Sequence, residues 1–226
     1  MRFITLATLI IVAGCTSIDE ERWRLFDENG VQAFAIGNYR EALENFDLAL
    51  THRPQDAVLL YNAGQCHDRL GQSSKAEQCY AYCIQLDPKH GDAHLALIGL
   101  YYRTGRVDVA NQKIQDWFKQ EPRSPAPYVA DAWRLRQEKN YPQAQARVQQ
   151  ALSIDPRNRL ALTELAMLYE IDGMPGLAYV QYERILEQDK NQTEIRGRLG
   201  QLKAQGVSRP APNDATTGKV DPLVLK

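Results

Sequence analysis

Four cysteines and four histidines are the side chains in this 226-residue chain best suited to metal, redox or acyl chemistry. His90 and His94 are four apart and near Asp87 and Asp92, the residue types of a divalent-metal site. They straddle the break between two helical segments, so one helix face does not present both, and no metal is expected. Cys66, Cys79 and Cys83, with His67 beside the first, fall within one short stretch. Three readings are open for them. Buried thiols come first, because Cys66 and Cys83 stand where small residues pack. A disulfide from Cys66 to the following helix comes second, and a Cys/His zinc site third, since the spacing matches no structural-zinc pattern. Cys15 is of another kind: it closes an apolar run, Phe3 to Ala13, relieved only by Thr5 and Thr8 and preceded by Arg2. No phosphate-cradling glycine loop, nucleophile motif or acid–base constellation occurs. The chain is therefore expected not to be an enzyme and to take no cofactor or small-molecule substrate.

The elements that hold these residues repeat. Pro54, Pro88, Pro122 and Pro156 are each 34 residues apart, as are Ala42, Ala76, Ala110, Ala144 and Ala178. Leu50, Ile84, Phe118, Leu152 and Leu186 form a third series, and Gly37, Gly71, Gly105 and Gly173 a fourth, in which Lys139 replaces one glycine. Within one period, Leu60, Ala63, Gly64 and His67 recur at helical spacing, and Gly71 suits a left-handed C-cap. Ala76, Tyr80, Cys83 and Ile84 form the stripe of a second helix that Asp87-Pro88 stops. Asn38 and Asn140 are placed to cap second helices, and Pro142 suits a first turn.

This period and content resemble the tetratricopeptide repeat. The resemblance implies an all-α fold, a right-handed superhelical solenoid of about five helix-turn-helix repeats over 23–56, 57–90, 91–124, 125–158 and 159–192. One repeat cannot bury its own stripe, so a polar-faced cap is needed. Residues 193–206 supply it, with Ile195, Leu199 and Leu202 inward and Glu194, Arg196, Arg198, Gln201 and Lys203 outward. Residues 207–226, with Pro210, Pro212, Gly218 and Pro222, read as a disordered tail.

The N-terminus resembles a bacterial lipoprotein signal. Residues 1–14 have a positive start and an apolar core of signal-peptide length, and Val12-Ala13-Gly14-Cys15 resembles a lipobox. The resemblance implies that Cys15 is lipidated and begins the mature chain, with residues 15–22 a short helical lead-in. Ser17 and Glu20 read there as a capping box. Loss of Arg2 leaves 26 basic against 28 acidic residues, so the anchor has no polybasic support. Thr16, rather than an aspartate, points to the periplasmic face of the outer membrane. With 44% hydrophobic and 24% charged residues and a net charge of −1, nothing argues for nucleic acid.

In this repeat family the first helices line a concave face, and ligand contacts come mainly from the second, fifth, ninth, twelfth and thirteenth positions of each repeat. Carried onto this chain, the positions give a partner-binding groove of Tyr61, Gln65, Arg69, Leu95, Tyr102, Arg103, Val129, Trp133, Arg136, Met167 and Glu170. Aromatic and arginine side chains of this kind dominate interface energetics and suit an extended or helical peptide of some acidic character. The lysine–asparagine clamp that some members use on a C-terminal carboxylate is absent, because the sites carry Asp27, Val31, Tyr61 and Gln65. The expected partners are envelope proteins or their peptide segments, together with the membrane through Cys15. The expected role is a membrane-anchored scaffold assisting assembly of an envelope machine such as a pilus or secretion system; the second reading is an adaptor for cell-wall enzymes or outer-membrane protein assembly. Departures from the repeat gather at 98–131: Ile98 and Trp117 replace small residues, Asp131 replaces an apolar one, and Ser124-Pro125-Ala126-Pro127 should delay a helix start. An opened junction between repeats three and four and simple volume filling by Trp117 are the two readings.

Overall fold

A computed structural model of the chain describes residues 22–210. Cys15, the apolar run before it, the Ser17/Glu20 box and residues 211–226 lie outside them. The described residues form eleven helices and no strand: α1 (22–35), α2 (Tyr39–His52), α3 (Ala57–Arg69), α4 (Ser73–Leu86), α5 (Gly91–Arg103), α6 (Val107–Gln120), α7 (Ala126–Gln137), α8 (Tyr141–Ile154), α9 (Arg159–Ile171), α10 (Pro175–Gln188) and α11 (Thr193–Ala204). Helix pairs follow the 34-residue period read from the sequence. No described helix is long and apolar enough to cross a membrane.

The described residues divide into two compact units, the first ending at Asn111 and the second beginning at Gln112, and the boundary falls inside the stretch 98–131 where the departures gather. In the first unit α2 packs on α3, α3 on α4, α4 on α5, and the first helices α3 and α5 also meet. The second unit repeats the scheme: α7 on α8, α8 on α9, α9 on α10, with α7 meeting α9 and α11 closing on α10. The cores follow from the stripes. Ala42, Phe46, Ala49, Leu59, Ala63 and Cys66 make one cluster of the first unit, joined by Trp23, Phe26 and Phe34. In α11, Ile195, Leu199 and Leu202 are buried as the cap requires.

Two local devices build the hairpins, the first in the first two of them and the second in all. The first is close approach: a Cβ at Gly64 would come within 2.7 Å of the Tyr80 ring, and one at Gly30 within 2.7 Å of the Phe46 ring. Each aromatic therefore fits only because the facing residue has no side chain. The second is the turn. Gly37, Gly71, Gly105, Gly173 and Gly206 have positive φ, and Lys139 adopts the same conformation at φ 60°. After each, an N–H reaches back five residues to a carbonyl, as Gln72 does to His67 and Asn140 to Leu135, both at 2.8 Å. These bonds satisfy carbonyls the helix end leaves open.

Lys139 pays a conformational penalty there that glycine avoids. Lys139→Gly is expected to stabilise the chain by about 1 kcal/mol, because the left-handed penalty of roughly 1–3 kcal/mol exceeds the 0.5–1 kcal/mol that glycine adds to the unfolded chain's freedom. Urea denaturation measures it, and a loss of stability would refute the reading.

Several sequence expectations change in detail. Asn38 and Asn140 stand at the N-cap positions of α2 and α8, yet neither side chain accepts a capping hydrogen bond. Asn38 instead donates to Glu41 Oε2 at 2.5 Å. Pro142 lies in the first turn of α8 as expected. The proline-rich stretch delays α7 by a single residue, to Ala126, with Pro127 accommodated in the first turn. Trp117 is only 2% exposed, which favours the volume-filling reading. Asp131 is buried but paired, at 2.7 Å, with Arg134 and with Arg147 of α8. A buried carboxylate persists there because two guanidinium groups replace its lost hydration.

Candidate functional site

The first unit carries a cleft of about 460 Å³ lined by Gln65, Asp68 and Arg69 of α3, Tyr80 of α4, and Ala96 and Arg103 of α5. The repeat builds it. Gln65, Arg69 and Arg103 occupy late positions of the first helices, one face of which turns away from the core. Small Ala96 opens the space between α3 and α5, and Tyr80 forms the floor. Burial, with further upward pushes from Asp68 and Tyr61, raises the Tyr80 hydroxyl well above its ordinary value, so it stays a neutral O–H donor.

The walls are electrostatically ordered. Arg103 Nη2 donates to Asp68 Oδ2 across the two repeats. Arg69 is exposed, lies over the Phe34 ring at 6.0 Å and the Tyr39 ring at 5.7 Å, and has no carboxylate partner among the described residues. Gln65 Nε2 donates to the Tyr61 hydroxyl at 2.7 Å, and the Tyr61 ring stands 4.9 Å from the His90 ring. One end of α3 is thus aromatic and the other cationic.

The remaining groove residues are dispersed. Leu95 is half-buried beside the cleft without lining it. Tyr102 donates its hydroxyl to Asn111 Oδ1 at 2.9 Å, away from an open partner. In the second unit Trp133 and Met167 are half-buried. Val129 is 1% exposed and belongs to the core, so it offers no side-chain surface; the fifth position of this repeat turns inward. Arg136 is engaged: its Nε donates to Glu164 Oε1 at 2.5 Å and its Nη2 to Oε2 at 3.2 Å. Glu170 accepts from the Tyr182 hydroxyl at 2.7 Å. Sequence reasoning missed Asp68, Tyr80 and Ala96 as lining residues and Glu164 as the buried partner of Arg136. An acidic residue one position before Arg69 was the available signal for Asp68. Nothing local marks Glu164, whose environment comes from the neighbouring repeat.

The cysteines and histidines are held locally. Cys66, Cys79 and Cys83 are free thiols, the first and last buried. Burial pushes Cys66 and Cys83 up to about 12, which suppresses the reactive thiolate. His90 Nδ1 accepts from Ala93 N at 3.2 Å and so caps α5, while His94 Nε2 lies 3.0 Å from the Pro88 carbonyl oxygen. No group of three or more His, Cys, Asp or Glu residues among the described residues is arranged to hold a metal ion.

Tandem helix pairs with an open cleft between successive first helices define a helical-repeat interaction protein. Two tetratricopeptide repeat models match residues 33–81 and 68–125. The chain is also 31% identical over 124 residues to the photosystem I assembly protein Ycf3 of Cuscuta gronovii, covering 52% of this chain and 74% of that protein. The protein of the same name from Cuscuta obtusiflora matches to the same extent, at 31% identity over 124 residues. Among solved structures, a thermophilic TPR protein of Thermus thermophilus is 25% identical and superposes with a TM-score of 0.55, covering 82% of this chain and 99% of that one. The chain belongs to the tetratricopeptide repeat family. Such repeats bind other proteins, and protein interaction is the function class that follows.

Proposed function

We propose that this chain is a lipid-anchored scaffold of the bacterial envelope that binds segments of other envelope proteins and assists assembly of a multiprotein machine, a pilus or secretion system being the type. The observation that carries the binding role is the open cleft between α3 and α5, whose rim keeps one arginine without a carboxylate partner among the described residues. Support for an assembly role comes from the Ycf3 relatives, which are named for assembly of photosystem I. The anchor rests on Val12-Ala13-Gly14-Cys15 after its apolar run. Two acyl chains or more would make that attachment stable where one is marginal.

The test is metabolic labelling with an alkyne fatty acid, followed by membrane fractionation and crosslinking in the native cell. Wild type should take up label and fractionate with outer membranes, and Cys15→Ser should do neither. Crosslinks to envelope proteins should be lost in Gln65→Ala/Arg69→Gln, which alters the rim without removing a core side chain. Labelling of Cys15→Ser would end the anchor reading, and unchanged crosslinks would end the groove reading.

A further inference from the structure

We infer that the α3–α5 cleft recognises an extended segment carrying an apolar or aromatic residue and, four positions along, a glutamate or aspartate. This rests on the scaffold reading and specifies its ligand. Charge is the first argument. Asp68 already compensates Arg103, whereas Arg69, on the same rim, has no carboxylate partner among the described residues. An added carboxylate there completes a charge-assisted hydrogen bond without displacing one. The floor supplies a second donor: Tyr80 is 1% exposed, its hydroxyl is held in the neutral O–H form, and no hydrogen bond joins that hydroxyl to another described residue.

Spacing is the second argument. Tyr61 and Arg69 are eight residues apart on α3, which places them about 12 Å apart along the helix axis. An extended chain advances about 13 Å in four residues and returns its side chains to the same face at even steps. Tyr61 stands just beyond the cleft lining, joined to the lining residue Gln65 at 2.7 Å and set against His90 at 4.9 Å; this aromatic margin takes the apolar residue while Arg69 takes the acid. A helical ligand would need the two groups about eight residues apart, and Arg69 at the late end of α3 would serve it equally in charge but not in this four-residue signature.

Phage-displayed random dodecapeptides selected on the full chain give the test, with fluorescein-labelled versions of the winners used for polarisation titrations. The winners should share the apolar–three–acidic pattern. Replacing the acid by its amide, or making Arg69→Gln, should each weaken binding at least tenfold, and combining the two should add little further. Arg69→Lys should retain most of the affinity. Winners indifferent to the acid, or to Arg69→Gln, overturn the inference and leave the scaffold reading standing. A selection that yields no binder to wild type removes both.

Discussion

Arg136→Ala is expected to destabilise the chain by about 3–5 kcal/mol near pH 8, since removal of one partner strands a buried charge. The charge is that of Glu164, only 5% exposed and held by Arg136 Nε at 2.5 Å. Burial raises the Glu164 carboxyl above its ordinary 4.5, while the hydrogen bond and charge of Arg136 act in the opposite direction. Loss of Arg136 removes that opposition, and the carboxyl moves higher. A carboxyl raised on folding favours the folded state at low pH. Its contribution is complete below the unfolded value near 4.5 and is lost as pH climbs through the folded value. The deficit of the variant should therefore be small near pH 4.5 and grow towards pH 8. Urea denaturation at several pH values measures it. Replacing both partners, as Arg136→Met/Glu164→Leu, should recover most of the loss, because a well-packed apolar pair needs no hydration. A deficit below about 1 kcal/mol that is the same at every pH would sink the account.

Trp117→Ala is the second large effect, at about 3–5 kcal/mol of destabilisation. The side chain is the largest of those fully buried, at 2% exposure. Its counterparts one repeat before and after are small or of medium size, Cys83 and Ala151, both at 0% exposure, so this volume is a need of one repeat and not of the pattern. Truncation leaves a cavity in a closely packed interior, which relaxes only in part. A fall in midpoint temperature of roughly 6–20 °C should follow for a chain of this size. Trp117→Phe should recover more than half, because it restores most of the volume. A loss under about 1 kcal/mol would mean that the site collapses around alanine and that Trp117 fills no required space.

The two residues differ in how far the sequence exposed them. Trp117 announced itself by breaking a series of small residues at a fixed spacing, although the series could not say whether it filled a gap or forced one open. Arg136 was legible as an arginine at a family groove position, and that reading mistook its situation. Position in a repeat places a side chain on a helix face, but the facing repeat decides whether a carboxylate already waits there. Val129 failed for the related reason that a late helix start and Pro127 in the first turn accompany an inward fifth position. Tyr80 was read as core and is core, yet its hydroxyl also floors the cleft, which follows only from how α3 and α5 part above Ala96.

The sequence by itself determined the period, the helix-turn-helix unit, and the turns marked by Gly37, Gly71, Gly105 and Gly173. Those properties are local: each depends on helical spacing or on the conformational freedom of glycine. The tertiary structure decided which charges were neutralised between repeats. It gave Arg103 to Asp68 and Arg136 to Glu164, while Arg69 kept no carboxylate partner among the described residues. Ion pairing depends on separations of a few ångströms between segments distant in sequence, and electrostatic energy at such range changes too steeply for any spacing rule along the chain to specify it.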